Sequence, residues 1–240
     1  MNIIKLIKEK SHNLYNASPV TIAFLGDSVT QGCFEVFITN EDIIDTVYES
    51  ENAFHEHFHK IMSMLYPKVP INIINAGISG SSTTDGVQRL ERDILRFSPD
   101  MVVVSFGLND AHGGIDKIID YKENLKYIFK TLKKQSIETV FMTPNMLCTN
   151  LSPHIKDNKI KNIALEMSKI QNDGIMDAYI KAAIEICDHC NVKICDCYSK
   201  WKIMHNNGVN VTELLANKIN HPTRDMNWLF AVSLIECLLD

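Results

Sequence analysis

Short apolar runs alternate along this chain with longer stretches whose apolar positions recur every three or four residues. The first run, residues 20–26, carries Ile22-Ala23-Phe24-Leu25 and breaks at Gly26. Unbroken apolar runs of this length are the pattern of strands buried on both faces of a parallel sheet. Residues 51–66 change period: Phe54, Phe58, Ile61 and Leu65 fall on one face of a helix, which Pro67 and Pro70 close. A second strand is expected over 71–75. A helix is expected over 85–97, with Val87, Leu90, Ile94 and Leu95 inward, Ser82 or Thr84 as its cap and Pro99 as its stop. Residues 101–106 are the most apolar run and predict a central strand.

The alternation continues with a helix over 117–134 and a strand over 138–143, stopped by Pro144. A long helix is expected over 160–190, broken near Gly174, and then a fifth strand over 192–195 and a last helix over 225–238. Residues 2–15 read as a short amphipathic helix or a lead-in. Residues 33–50 have no clean period and predict a loop over the sheet edge; 145–158 also predict a loop, and the residues after 195 a polar stretch. Strand–helix alternation without repeats or linkers predicts one α/β domain over 1–240, a three-layer α/β/α sandwich around a five-stranded parallel sheet.

Three of the predicted strands end in polar turns: Gly26-Asp27-Ser28, Gly77 to Gly80, and Gly107-Leu108-Asn109-Asp110. Parallel strands deliver their carboxyl ends to one edge, where α/β proteins bind their ligands. The three turns bring complementary chemistry there. Ser28 offers a hydroxyl, a glycine of the second turn an exposed N–H, and Asn109 an amide N–H₂. Donors gathered beside a nucleophile stabilise the oxyanion of acyl transfer. A serine needs a base, and of the nine histidines His221 is best placed. It precedes the last helix, and Pro222 stiffens its exit.

These turns resemble the motifs of the SGNH (GDSL-like) hydrolase family. Gly26-Asp27-Ser28, Ile78-Ser79-Gly80 after Asn75, Gly107-Leu108-Asn109-Asp110 and His221-Pro222 occur in that family's order across nearly the whole chain. The resemblance implies a flavodoxin-like fold and ester hydrolysis. It implies Ser28 as nucleophile, His221 as base, and the N–H groups of Ser28 and Gly80 with the Asn109 amide as oxyanion donors. A short acyl group, such as acetyl on a sugar, is its family-level substrate. The chain departs from the pattern at Lys218, where the family places an aspartate three residues before the histidine. Asn217, Asp225 or a backbone carbonyl is then expected to orient the His221 ring.

Two other patterns compete. His55-Glu56-His57-Phe58-His59 matches H-E-x-x-H, so His55 and His59 would share a helix face and bind zinc, with Glu56 as base. Cys187, Cys190, Cys195 and Cys197 lie within eleven residues and resemble a structural zinc set. The first lacks an evident third ligand, and the second straddles a helix end and a strand. The leading expectation therefore needs no cofactor or metal. A binding module impaired by Lys218 is the other alternative.

The net charge of −5 argues against nucleic acid as the main partner; a small-molecule or carbohydrate ester is what the resemblance implies. No run is long enough to span a membrane. Seven cysteines without a signal-peptide pattern lead to a cytoplasmic expectation.

Overall fold

The computed structural model describes residues 2–41 and 43–240. Five strands form one sheet: β1 (Val20–Gly26), β4 (Ile71–Gly77), β5 (Met101–Ser105), β6 (Glu138–Met142) and β7 (Lys193–Cys195). Their order is β4-β1-β5-β6-β7, and every pairing is parallel. This is the three-layer sandwich that the alternation predicts. Helices α1 (Asn2–His12), α3 (Phe54–Leu65) and α9 (Arg224–Leu239) pack together on one face. Helices α4 (Thr83–Asp93), α5 (Ile118–Lys134) and α7 (Ile175–Cys190) pack in sequence on the other. Met101 to Val104 are wholly buried, as a central strand requires, and Phe24 meets Phe54 and Phe58 edge-on in the core.

The helix boundaries follow from local chemistry. Ser82 caps α4 in a capping box with Asp85, whose carboxylate takes the Ser82 N–H at 2.7 Å. That helix ends at Asp93, and the rest of its expected span is a single 3₁₀ turn, Leu95–Phe97. Gly174, at φ 77°, divides the long apolar stretch into α6 (Asn158–Asn172) and α7.

Two expectations fail. Residues 33–50 are not a loop but a hairpin, β2 (Cys33–Ile38) and β3 (Ile44–Tyr48), which forms a two-stranded sheet of its own. The polar stretch after β7 contains α8 (Tyr198–Asn206), anchored by buried Tyr198 and Trp201.

Candidate active site

The site begins with sheet register. Gly26 at the end of β1 lies beside Gly77 at the end of β4 and beside Ser105 at the end of β5. The three polar turns therefore leave the sheet side by side. After Gly26 the chain enters α2 (Ser28–Gln31) at once, because the Asp27 carboxylate caps it by accepting the Val29 N–H at 3.0 Å. Burial pushes the Asp27 carboxyl up to about 7. The turn packs so closely that a Cβ on Gly77 would strike the Gln31 backbone.

Side chains tie the turns together. The Gln31 Oε1 accepts the Ser79 N–H at 2.6 Å, and the Asn109 Nδ2 donates to the Ser81 carbonyl at 2.9 Å. Asp110 accepts from the Thr83 N–H and hydroxyl, at 3.0 and 2.6 Å. Buried Arg89 donates from Nη2 to the Gly26 carbonyl at 2.6 Å and from Nη1 to the Ala76 carbonyl at 2.5 Å. Sequence reading misses Gln31 and Arg89. The available signals were the polar residue three after Ser28 and the Arg89–Asp93 pair at helical spacing.

His221 arrives from the opposite end of the chain. Its Nε2 stands 3.0 Å from the Ser28 Oγ, and its Nδ1 stands 2.8 Å from the Phe34 carbonyl. A carbonyl can only accept, so Nδ1 carries the proton. In a neutral ring Nε2 is then the acceptor and the Ser28 hydroxyl donates to it. Burial holds the His221 imidazole down at about 4, against the opposing pull of the Phe34 carbonyl and Glu35. The ring is thus neutral near pH 7, in the tautomer that can take a proton from Ser28. Ser28 is 3 % and His221 5 % exposed, so the dyad is sheltered from bulk solvent.

Of the three ring-orienting candidates, the two side chains need correction and the backbone carbonyl is the one found. Asn217 does not touch the ring; its Oδ1 accepts the backbone N–H groups of Ile219, Asn220 and His221 at 2.9, 2.9 and 3.0 Å. It shapes the loop that carries the histidine. Asp225 is exposed in the first turn of α9 and takes no part in holding the imidazole. Lys218 has left-handed backbone, φ 59°, and its Nζ goes to the Glu213 carbonyl at 2.9 Å and carboxylate at 3.0 Å. The acceptor is the backbone carbonyl of Phe34, on the hairpin.

The expected oxyanion donors differ in availability. Gly77 N–H is occupied by the Asn75 Oδ1 at 2.9 Å. Gly80 is exposed, has φ 78°, and no described residue accepts from its N–H. Ser28 N–H lies at the first position of α2, where no intrahelical partner exists. Asn109 uses one amide hydrogen on Ser81 and keeps the other.

Residues 24–229 match the model of the GDSL-like Lipase/Acylhydrolase family. The chain belongs to that family. Among curated relatives, this GDSL-like protein is 27% identical over 133 residues to an acetylxylan esterase of Geobacillus stearothermophilus. That match covers 51% of the chain and 58% of the relative. It is also 33% identical over 78 residues to the uncharacterized lipoprotein YqeF of Bacillus subtilis (strain 168), covering 30% of the chain and 32% of the relative. The chain thus spans a third and somewhat more than half of these relatives' lengths. Its fold is that of Axe2, an acetylxylan esterase from Geobacillus stearothermophilus: TM-score 0.67, 18% identity, 92% of this chain and 94% of that one. It is similar too to a two-domain esterase (CEX) active on acetylated mannans, with TM-score 0.66 and 19% identity over 98% of this chain and 52% of that one.

The rival patterns do not form sites in this GDSL-like fold. His55 is wholly buried on α3, its ring 5.6 Å from that of Phe24 and 5.9 Å from that of Phe54, whereas His59 lies at the surface. The cysteines are unpaired, and those of the proposed set are buried. Among the described residues no three His, Cys, Asp or Glu side chains converge as metal ligands, and no helix is long and apolar enough to cross a membrane.

Proposed function

We propose that this protein is a serine esterase that removes a short acyl group, acetyl in the first instance, from a carbohydrate. The observation that carries this reading is the 3.0 Å contact between Ser28 Oγ and a His221 ring whose other nitrogen is engaged by a carbonyl. His221 Nε2 takes the hydroxyl proton as Ser28 Oγ attacks the ester carbonyl. The N–H groups of Ser28 and Gly80 and the free amide hydrogen of Asn109 receive the oxyanion. The imidazolium then gives its proton to the departing alcohol, leaving an acyl group on Ser28. Water repeats the sequence on the acyl-enzyme: Nε2 takes its proton and returns one to Ser28 as the acid leaves.

A carbonyl in place of an aspartate supplies the orientation and tautomer but no full negative charge. The dyad therefore works with a correctly placed base and weaker support for the imidazolium. This favours reduced activity over the impaired binding module.

Carbohydrate is favoured on the alcohol side by the likeness to an acetylxylan esterase. The burial of Ser28 favours a small acyl group. A series of 4-nitrophenyl esters of two to eight carbons tests this. Hydrolysis is expected to be fastest on the acetate and to fall steeply beyond four carbons; equal or rising rates along the series contradict the short-acyl reading, and no hydrolysis of any ester contradicts the function.

A further inference from the structure

The hairpin that supplies the Phe34 carbonyl has no sheet to lean on. Two-stranded hairpins are marginal alone in water, yet this one must hold a carbonyl in place for His221. The structure provides an anchor from the histidine's own segment. Arg224, three residues after His221, is the first residue of α9. Its Nη1 and Nη2 donate to the two Glu35 carboxylate oxygens at 2.8 and 3.0 Å. Its Nε and Nη2 donate to those of Glu49 at 2.7 and 2.6 Å. The guanidinium carbon also lies 4.4 Å from the centre of the Phe34 ring. One side chain thus grips the hairpin at Glu35 on β2, at Glu49 just beyond β3, and over Phe34 between Cys33 and Glu35.

A second observation explains why the grip falls there. Cys33 pairs with Tyr48 and Val36 with Thr46, so the register slips at Phe34 and Glu35. A bulge leaves a residue without its ladder partner and re-aims it. The Phe34 carbonyl lies at this irregularity and is taken by His221 Nδ1 at 2.8 Å. We propose that Arg224 is a positioning residue for His221: its double fork to Glu35 and Glu49 holds the bulge so that the Phe34 carbonyl keeps the imidazole aimed at Ser28. Single exposed ion pairs contribute little, but a bidentate network with a stacked face is the exception. The network holds Glu49 down at about 2, chiefly through Arg224, and lowers Glu35 for the same reason. A lysine cannot serve two carboxylate forks.

This inference rests on the esterase reading for its kinetic test, and a second readout separates the two. In Arg224→Gln, kcat on 4-nitrophenyl acetate is expected to fall about 10- to 100-fold with KM nearly unchanged, the signature of lost alignment. Arg224→Lys recovers only part of that loss. The charged groups around His221 are Glu35, Glu49 and Arg224 on the hairpin side, Asp27 beyond Ser28, and the Lys218–Glu213 pair on its own loop. Removing the guanidinium leaves Glu35 and Glu49 unneutralised. Their charge favours the imidazolium, so the acid limb of kcat/KM moves to higher pH.

The independent readout is ¹⁵N NMR of the histidine rings. In the wild type, His221 is expected as the Nδ1–H tautomer with a hydrogen-bonded proton, and in Arg224→Gln that signature is lost or broadened. If the wild type hydrolyses no ester, the esterase reading fails and the ring spectra still judge Arg224. If Arg224→Gln does not fold by circular dichroism, Glu35→Gln and Glu49→Gln, which each leave one fork, replace it with a smaller fall in kcat. A folded Arg224→Gln with wild-type kcat and unchanged ring signals overturns the proposal, as do wild-type values in both glutamine variants.

Discussion

Alanine at Ser28 or at His221 is expected to lower kcat on 4-nitrophenyl acetate by about 10³- to 10⁶-fold, and the double variant by no more than either alone. The reason lies in the single hydrogen bond between them, 3.0 Å from Nε2 to Oγ. A hydroxyl without its base is a poor nucleophile, and a base without its hydroxyl has no proton to take. Each loss therefore removes the same step. Multiplying losses would mean that the two groups act separately. His221→Ala also frees the Phe34 carbonyl, whereas Ser28→Ala leaves the ring and its 2.8 Å acceptor in place. Circular dichroism should show both variants folded, since the sheet and its helices do not depend on either side chain.

The second large effect concerns Asn109. Asn109→Ala is expected to cost about 10²- to 10³-fold in kcat with little change in KM, because an oxyanion donor acts on charge present only in the transition state. Asn109→Asp is expected to do worse, since a carboxylate there would face the developing negative charge. Asn109 also donates to the Ser81 carbonyl at 2.9 Å and so joins the third turn to the second. A thermal melt separates this structural role: a lowered midpoint with intact kcat would assign Asn109 to bracing alone.

The sheet was legible in the sequence because its central strands are apolar runs and its strands end at glycine, proline or a polar turn. Met101 to Val104 left no other reading, and the turns at Gly26, Gly77 and Gly107 announced one shared edge. The hairpin was not legible, for the reason that gives it a role. The bulge at Phe34 and Glu35 interrupts the two-residue period of β2, and no clean alternation survives for a pattern search. Helix α8 was hidden by its composition: among Lys, Ser and His residues, only Tyr198 and Trp201 are buried along it.

The histidine's partner was beyond side-chain reasoning altogether. A search for an acceptor near residue 218 turns up Asn217 and Asp225, because those side chains carry oxygen, and names a backbone carbonyl only as a class, without its residue. A backbone carbonyl has no letter of its own, and this one lies 187 residues away in the chain. The same distance problem hides the Arg224 network, whose partners are 175 and 189 residues off. Proximity in sequence identified the loop that holds His221 but not the hairpin that aims it.

The most direct measurement is labelling by a fluorophosphonate, followed by intact mass and peptide mapping. Phosphonylation requires a serine oxygen activated by a base and an oxyanion site, and needs no knowledge of the natural ester. The wild type is expected to take up one phosphonyl group, on the peptide containing Ser28, with labelling nearly abolished in His221→Ala. An unlabelled wild type, an adduct on another residue, or equal labelling rates with and without His221 would contradict the Ser28–His221 dyad.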